Sequence, residues 1–137
     1  MGMTYAEFKE TVKKREVDRF EEYGRIIEDL SVLYDEEKDF VFFYPRNLWN
    51  KVETDFTFFL QDGYVTIQKV GENYQYKHYK CKLLSKELTK ARYEYKDHTL
   101  KLKFDNGIEL FFSSETDSNE AWTIHYSRSI IDLYKVI

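Results

Sequence analysis

Two short stretches constrain the fold of this chain more than any other feature: Phe40-Val41-Phe42-Phe43-Tyr44 and Phe56-Thr57-Phe58-Phe59-Leu60. Both read as strands, and both are apolar on their two faces. A strand in a half-exposed sheet alternates apolar with polar residues, whereas one that does not is covered on both sides. One face of each must meet the main core, and the other needs a cover. A candidate cover lies upstream. Thr4 and Glu7 form a capping box, after which Tyr5, Phe8, Val12, Phe20, Tyr23, Ile27, Leu30 and Tyr34 recur at helical spacing. The spacing predicts one long helix over 4–34 with a single apolar stripe, interrupted at Glu16. That stripe can close the open face of the strands; otherwise a partner or a second copy must do so.

The strand pattern continues to residue 113. Strands are predicted over 40–44, stopped by Pro45, and over 55–60, 64–70, 74–83, 88–95, 99–104 and 108–113. The aromatic content of 18% suits pleated, half-buried surfaces. The last hairpin can be read in register. A three-residue loop, Asp105-Asn106-Gly107, with Gly107 left-handed pairs Phe104 with Ile108, Leu102 with Leu110 and Leu100 with Phe112. All the apolar residues then share a face, and Lys103 lies opposite Glu109; a slip of one residue would put half of them in water. The same logic for the preceding hairpin, with a loop over 96–99, pairs Tyr95 with Leu100, Tyr93 with Leu102 and Glu94 with Lys101. Asp117 or Ser118 can cap a final helix over 118–137, whose stripe is Trp122, Tyr126, Ile130, Leu133, Tyr134 and Ile137. A chain of 137 residues with one proline and five glycines has little room for linkers and reads as a single domain over 1–137. The expected class is α+β: a long N-terminal helix over 4–34, a bent antiparallel sheet of about seven strands over 40–113, forming a partly open barrel, and a C-terminal capping helix.

That order resembles the pleckstrin-homology-like (PH-like) fold. The resemblance covers roughly residues 40 to 137. It is strongest from about Leu88 onward, where Leu100-Lys101-Leu102-Lys103-Phe104, Asp105-Asn106-Gly107, Ile108-Glu109-Leu110-Phe111-Phe112, Ser113-Ser114-Glu115 and Asn119-Glu120-Ala121-Trp122 follow in the family's usual order, and Trp122 looks like that family's best-kept position. Members that bind phosphoinositides carry several Lys and Arg on the first two strands and their connecting loop. Here that region offers Arg46 and Lys51 against Glu53, Asp55 and Asp62, so the resemblance implies a protein or peptide ligand rather than a lipid headgroup. The chain also resembles small uncharacterised proteins of Gram-positive bacteria and their phages, which implies no activity.

No catalytic set stands out. His78, His98 and His125 lack metal-ligand spacing, and no Cys or His pair has the separation of a zinc site, so neither a metal nor a cofactor is expected. Ser113-Ser114 lacks the glycines of a nucleophile elbow. Glu94-Tyr95-Lys96 has the Glu-x-Lys form of some metal-dependent nucleases, without a paired Asp at a sensible place. The chain is therefore expected not to be an enzyme. Cys81 alternates with Tyr79 and Leu83, as a buried inert thiol would. A lone cysteine, no signal peptide and no apolar run of membrane-spanning length point to the cytosol.

Two binding readings remain. The first is a protein-interaction module, a phage or immunity type being one version, that meets a partner or a second copy through Trp49, Phe43 and Phe58. Trp49 sits in a loop as either a lid over the core or an exposed anchor. The second uses residues 74–103, where nine Lys and Arg stand against three acidic residues and five tyrosines are interleaved. Basic residues among aromatics can track a phosphate backbone and stack bases, which makes Lys80, Lys82, Lys90 and Arg92 the candidates for nucleic acid or anionic lipid. Against it stand a net charge of −4 and the cross-strand pairing of those same charges.

Overall fold

A computed structural model describes residues 3–50 and 53–137. Four helices and seven strands follow one another: α1 (Tyr5–Lys13), α2 (Phe20–Leu33), the single turn α3 (Glu36–Asp39), β1 (Phe40–Arg46), β2 (Asp55–Leu60), β3 (Gly63–Val70), β4 (Asn73–Lys80), β5 (Leu83–Thr89), β6 (Thr99–Phe104), β7 (Glu109–Ser113) and α4 (Thr123–Val136). The class is mixed α+β. The strands form two antiparallel sheets, β1-β2-β3-β4 and β5-β6-β7, which do not close on each other. The chain passes from one to the other at Cys81-Lys82, inside the stretch 74–83 that the pattern assigned to a single strand.

The four-stranded sheet is the middle layer of three. On one side Phe43, Phe56, Phe58, Val65 and Ile67 form a core with Phe8, Val12, Tyr23, Ile26 and Leu30 of α1 and α2. On the other, Tyr44, Phe59 and Tyr64 form a second core with Leu100, Leu102, Phe104 and Phe112 of the smaller sheet and with Tyr126, Ile130 and Leu133 of α4. The doubly apolar strands are thus covered twice, and the N-terminal helices supply the second cover. A bulge between Phe40 and Phe42 shifts the parity of β1, so Phe40 and Phe43 both face the helices.

The N-terminal segment is two helices, not the single helix expected over 4–34. An unbroken helix of that length would run about 46 Å, and strands of six to eight residues span only about 20–27 Å. The stripe can stay on the sheet only if the helix folds back. It does so over Lys14–Arg19, where Arg15 and Arg19 take positive φ of 58° and 63° and Val17 turns into the core, 6% exposed. The capping box is present: the Glu7 amide donates to Thr4 Oγ1 at 3.1 Å, and the Thr4 amide to Glu7 Oε1 at 3.1 Å.

Tyrosine hydroxyls tie α2 to the sheet. Tyr74 Oη donates to Glu22 at 2.9 Å, Lys69 Nζ donates to the same carboxylate at 3.1 Å, and Tyr76 Oη donates to Asp29 at 2.7 Å. The Tyr74 and Lys69 donors hold the Glu22 carboxyl below its ordinary value. A carboxyl with a lowered folded pKa contributes stability that is present above its unfolded value and lost as pH falls through its folded value. Acid titration below about pH 4.5 should therefore cost wild type up to about 1 kcal/mol that Glu22→Gln does not lose, read from denaturation midpoints.

In the smaller sheet the last hairpin has the expected register: Leu102 pairs with Leu110, Leu100 with Phe112 and Lys103 with Glu109, and Gly107 has φ 82°. The hairpin before it does not. Strand β5 is Leu83–Thr89 rather than 88–95, and Leu88, not Tyr95, pairs with Leu100. Lys101 lies opposite Glu87 instead of Glu94, and residues 90–98 form a loop. The misreading has a cause in Lys86, which pairs with Leu102 at an inward position. Its ammonium reaches the Tyr134 carbonyl at 2.8 Å, near the end of α4, while its stem covers apolar surface. A lysine there hides the alternation.

Helix α4 starts at Thr123, five residues after the expected 118, because Asp117 and Ser118 are used elsewhere. The Asp117 carboxylate, 3% exposed, pairs with Arg46 Nε at 2.8 Å and accepts from Tyr44 Oη at 2.8 Å and from the Ser113 amide at 2.9 Å. Ser118 donates to the Ser114 carbonyl. These bonds fasten the 114–122 turn to the end of β1.

Candidate binding cleft

Because the two sheets part at Cys81-Lys82, their shared core has an open mouth. The β2–β3 turn (Leu60, Gln61, Asp62, Gly63), the Lys80–Leu83 corner, Phe104-Asp105 and the end of α4 (Val136, Ile137) surround it, with Val41 on one side. The cavity is about 840 Å³, within the range of ligand-binding clefts. Phe59, Leu60, Leu83 and Phe104 supply apolar walls, and Val41 and Val136 stand on the rim 39% and 51% exposed.

The rim carries charges of both signs. Asp62 lies 3.3 Å from His78 Nε2, and Asp105 Oδ1 accepts from the Lys82 amide at 2.9 Å. Among the described residues, neither Lys80 nor Lys82 has a carboxylate oxygen within 4.0 Å of its ammonium. Cys81 is half-buried in the cleft wall. Burial, with Asp105 and Asp62 nearby, pushes its thiol above the ordinary range, so it is a poor nucleophile near neutral pH. Tyr34 Oη and His78 Nδ1 are 3.3 Å apart beside the cleft, which links the end of α2 to β4.

The structure distributes the sequence-derived candidates unevenly. Phe43 and Phe58 are 5% and 1% exposed, packed by tilted and edge-on ring contacts among Tyr5, Phe8 and Phe40 under α1, so they are core residues and not a contact surface. Trp49 is half-buried and lies flat on Trp122, with ring centroids 4.4 Å apart and planes at 11°. Asn119 Nδ2 donates to its carbonyl at 3.1 Å, so Trp49 acts as a lid at the seam of the two cores rather than as an anchor held out to solvent. Lys80 and Lys82 stand at the cleft. Lys90 and Arg92 do not join them, because β5 lies between and eight extended residues span roughly 26 Å. The candidate residues of the 74–103 stretch therefore stand at opposite ends of β5, and Lys86 between them is turned inward to the Tyr134 carbonyl. Glu94 and Lys96 lie in the 90–98 loop, where Glu94 pairs with Arg128 at 2.7 Å.

Sequence reading missed Val41, Leu83, Asp105 and Val136. Two of them left a trace: Val41 is one of the residues that make β1 apolar on both faces, and Val136 falls off the apolar stripe of its helix yet is aliphatic. His98 is 1% exposed, and its amide donates to Ser114 Oγ at 2.8 Å. Among the described residues, no group of three or more His, Cys, Asp or Glu side chains is placed to hold a metal ion, and no helix is long and apolar enough to cross a membrane.

No curated protein and no solved structure matches the chain. A family model described as protein of unknown function, DUF3908, matches residues 4–128, from the cap of α1 into α4. The span takes in the whole sheet system, the first core and all of the second except the α4 residues beyond 128, Ile130 and Leu133 among them, and the chain belongs to the DUF3908 family.

Proposed function

We propose that this protein is a non-enzymatic interaction module of the cytoplasm, which takes a segment of a partner protein into the mouth between its two sheets. The observation that carries the reading is the cleft itself: a mouth that opens onto the edge of the second core, with two exposed aliphatic side chains, Val41 and Val136, on the rim where a finished core would bury them. The chemistry of the rim favours one kind of segment. The carboxylates are engaged by His78 and the Lys82 amide, while the Lys80 and Lys82 ammonium groups have no carboxylate partner among the described residues. A partner segment with an apolar side chain beside one or more carboxylates fits that pattern. The sequence resemblance to the pleckstrin-homology-like fold points the same way, since members of that family without basic first strands mostly bind proteins or peptides. A phage- or immunity-type protein of a Gram-positive bacterium is one form such a module takes.

The test is affinity capture from nuclease-treated Gram-positive lysate, followed by affinity measurement with the purified partner. Val136→Asp places a charge on the rim at an exposed position, so the melting temperature should be unchanged. Binding should weaken about tenfold or more, the scale expected when a charge replaces an apolar side chain that packs against the partner. Wild type capturing no stoichiometric protein, or Val136→Asp binding as tightly as wild type, would overturn the proposal.

A further inference from the structure

The connection between β5 and β6, residues 90–98, is long for a hairpin loop but is fastened at many points. The Lys96 amide donates to the Tyr93 carbonyl at 3.1 Å, closing a turn. Ser127 Oγ of α4 donates to the Glu94 carbonyl at 2.9 Å, and Arg128 Nε to the Glu94 carboxylate at 2.7 Å. Asp97 Oδ1 accepts from Ser113 Oγ at 2.7 Å and from the Glu115 amide at 3.1 Å.

This well-held loop presents two aromatic rings to solvent. Tyr93 and Tyr95 are 49% and 59% exposed and belong to neither core. Their rings stack on each other, with centroids 5.5 Å apart and planes at 15°. Cations flank the stack: the Arg92 guanidinium lies 5.5 Å from the Tyr93 ring and the Lys96 ammonium 5.6 Å from the Tyr95 ring. Folding gains little from such an arrangement, because exposed rings bury little surface.

We infer that the 90–98 loop is a binding site for single-stranded nucleic acid, with Tyr93 and Tyr95 as the stacking platform and Lys90, Arg92 and Lys96 as phosphate contacts. Stacking on parallel rings needs bases that are already unpaired, and backbone contacts need cations beside the rings. The loop is formally basic even though the whole chain is acidic: Lys90, Arg92 and Lys96 stand against Glu94, which is paired with Arg128, and Asp97, which accepts from Ser113 Oγ and the Glu115 amide. The loop lies at the far end of β5 from the cleft, so this site stands independently of the protein-binding reading.

The test is fluorescence anisotropy with a fluorescein-labelled oligodeoxythymidine of about twelve nucleotides, within the site sizes of single-strand binders. Wild type should bind at low salt, and three phosphate contacts on a single strand give a slope of log K against log salt of about −2. Tyr93→Ala/Tyr95→Ala should weaken binding about tenfold or more without moving the melting temperature, Tyr93→Phe/Tyr95→Phe should retain it, and Arg92→Glu should weaken it and flatten the slope. Absence of binding by wild type at low salt would overturn the inference. So would equal affinity of the alanine variant, or equal affinity for a duplex of the same length, which would report charge alone.

Discussion

Gly63→Ala is expected to destabilise the protein by at least about 3 kcal/mol, a large fraction of the roughly 5–15 kcal/mol that keeps a domain folded. Gly63 opens β3 at φ 149° and pairs across the sheet with Lys80. A Cβ there would lie 1.8 Å from the carbonyl oxygen of Tyr79 and 2.9 Å from its carbonyl carbon. Both are backbone atoms of a paired strand, so no side chain can rotate away. The β2–β3 turn or the end of β4 would have to move, and with it the Cys81-Lys82 corner, whose Cys81 amide donates to the Asp62 carbonyl at 3.0 Å. Gly71 is the internal control. It too has a positive φ, of 64°, but a Cβ there meets nothing within 4 Å. Gly71→Ala should cost only roughly 1–2 kcal/mol, the ordinary penalty for an L-residue in the left-handed region. Chemical denaturation of both variants checks the contrast. Equal losses would mean that backbone conformation alone, and not the close approach of two strands, sets the requirement for glycine at position 63.

Asp117→Ala is the second large effect, at roughly 3–5 kcal/mol. The carboxylate holds Arg46, Tyr44 and Ser113 at once, and its own carbonyl accepts from the Asn47 amide at 2.8 Å. Burial pushes the carboxyl above its ordinary range in spite of the pull of Arg46 and the two donors, so the ionised group is costly to bury. Truncating it would be costlier still. The Tyr44 hydroxyl, in a residue 1% exposed, and the Ser113 amide would lose their acceptor, and the Arg46 head, stacked over Phe112 at 5.1 Å, would lose its counter-charge. Asp117→Asn keeps the shape and one oxygen but loses the charge-assisted bonds, and should fall between, near about 2 kcal/mol. Thermal melts of wild type and the two variants check the order. An alanine variant as stable as wild type would show that the 114–122 turn holds without its buried hub.

The elements differ in how well the amino-acid pattern reports them. The β6–β7 hairpin was legible to the residue because everything that sets it is local: one glycine that can take a positive φ, and an apolar alternation that tolerates one register. The two-sided covering of β1 and β2 was legible as a requirement. The identity of the cover was open, since a stripe on a helix states that the face is buried and not what buries it. The break over Lys14–Arg19 left only Glu16 as its trace, because it answers to the length of the sheet beneath, a quantity no local window contains. Strand β5 was misplaced because Lys86 faces inward and two exposed tyrosines imitate a core pattern. There, residues that the structure leaves facing solvent were read as part of the sheet.

By itself, then, the sequence determined the class, the strand count, the final register and the need for a layer on each side of the first two strands, all of which follow from which residues can be wet. Only the tertiary structure decided that the sheets part at Cys81-Lys82, that Val41, Lys80, Asp105 and Val136 meet around one cleft, that Phe43 and Phe58 are sealed beneath α1, and that Tyr93 and Tyr95 face solvent. Those outcomes depend on distances between segments far apart in the chain, and a pattern of polar and apolar residues encodes faces, not separations.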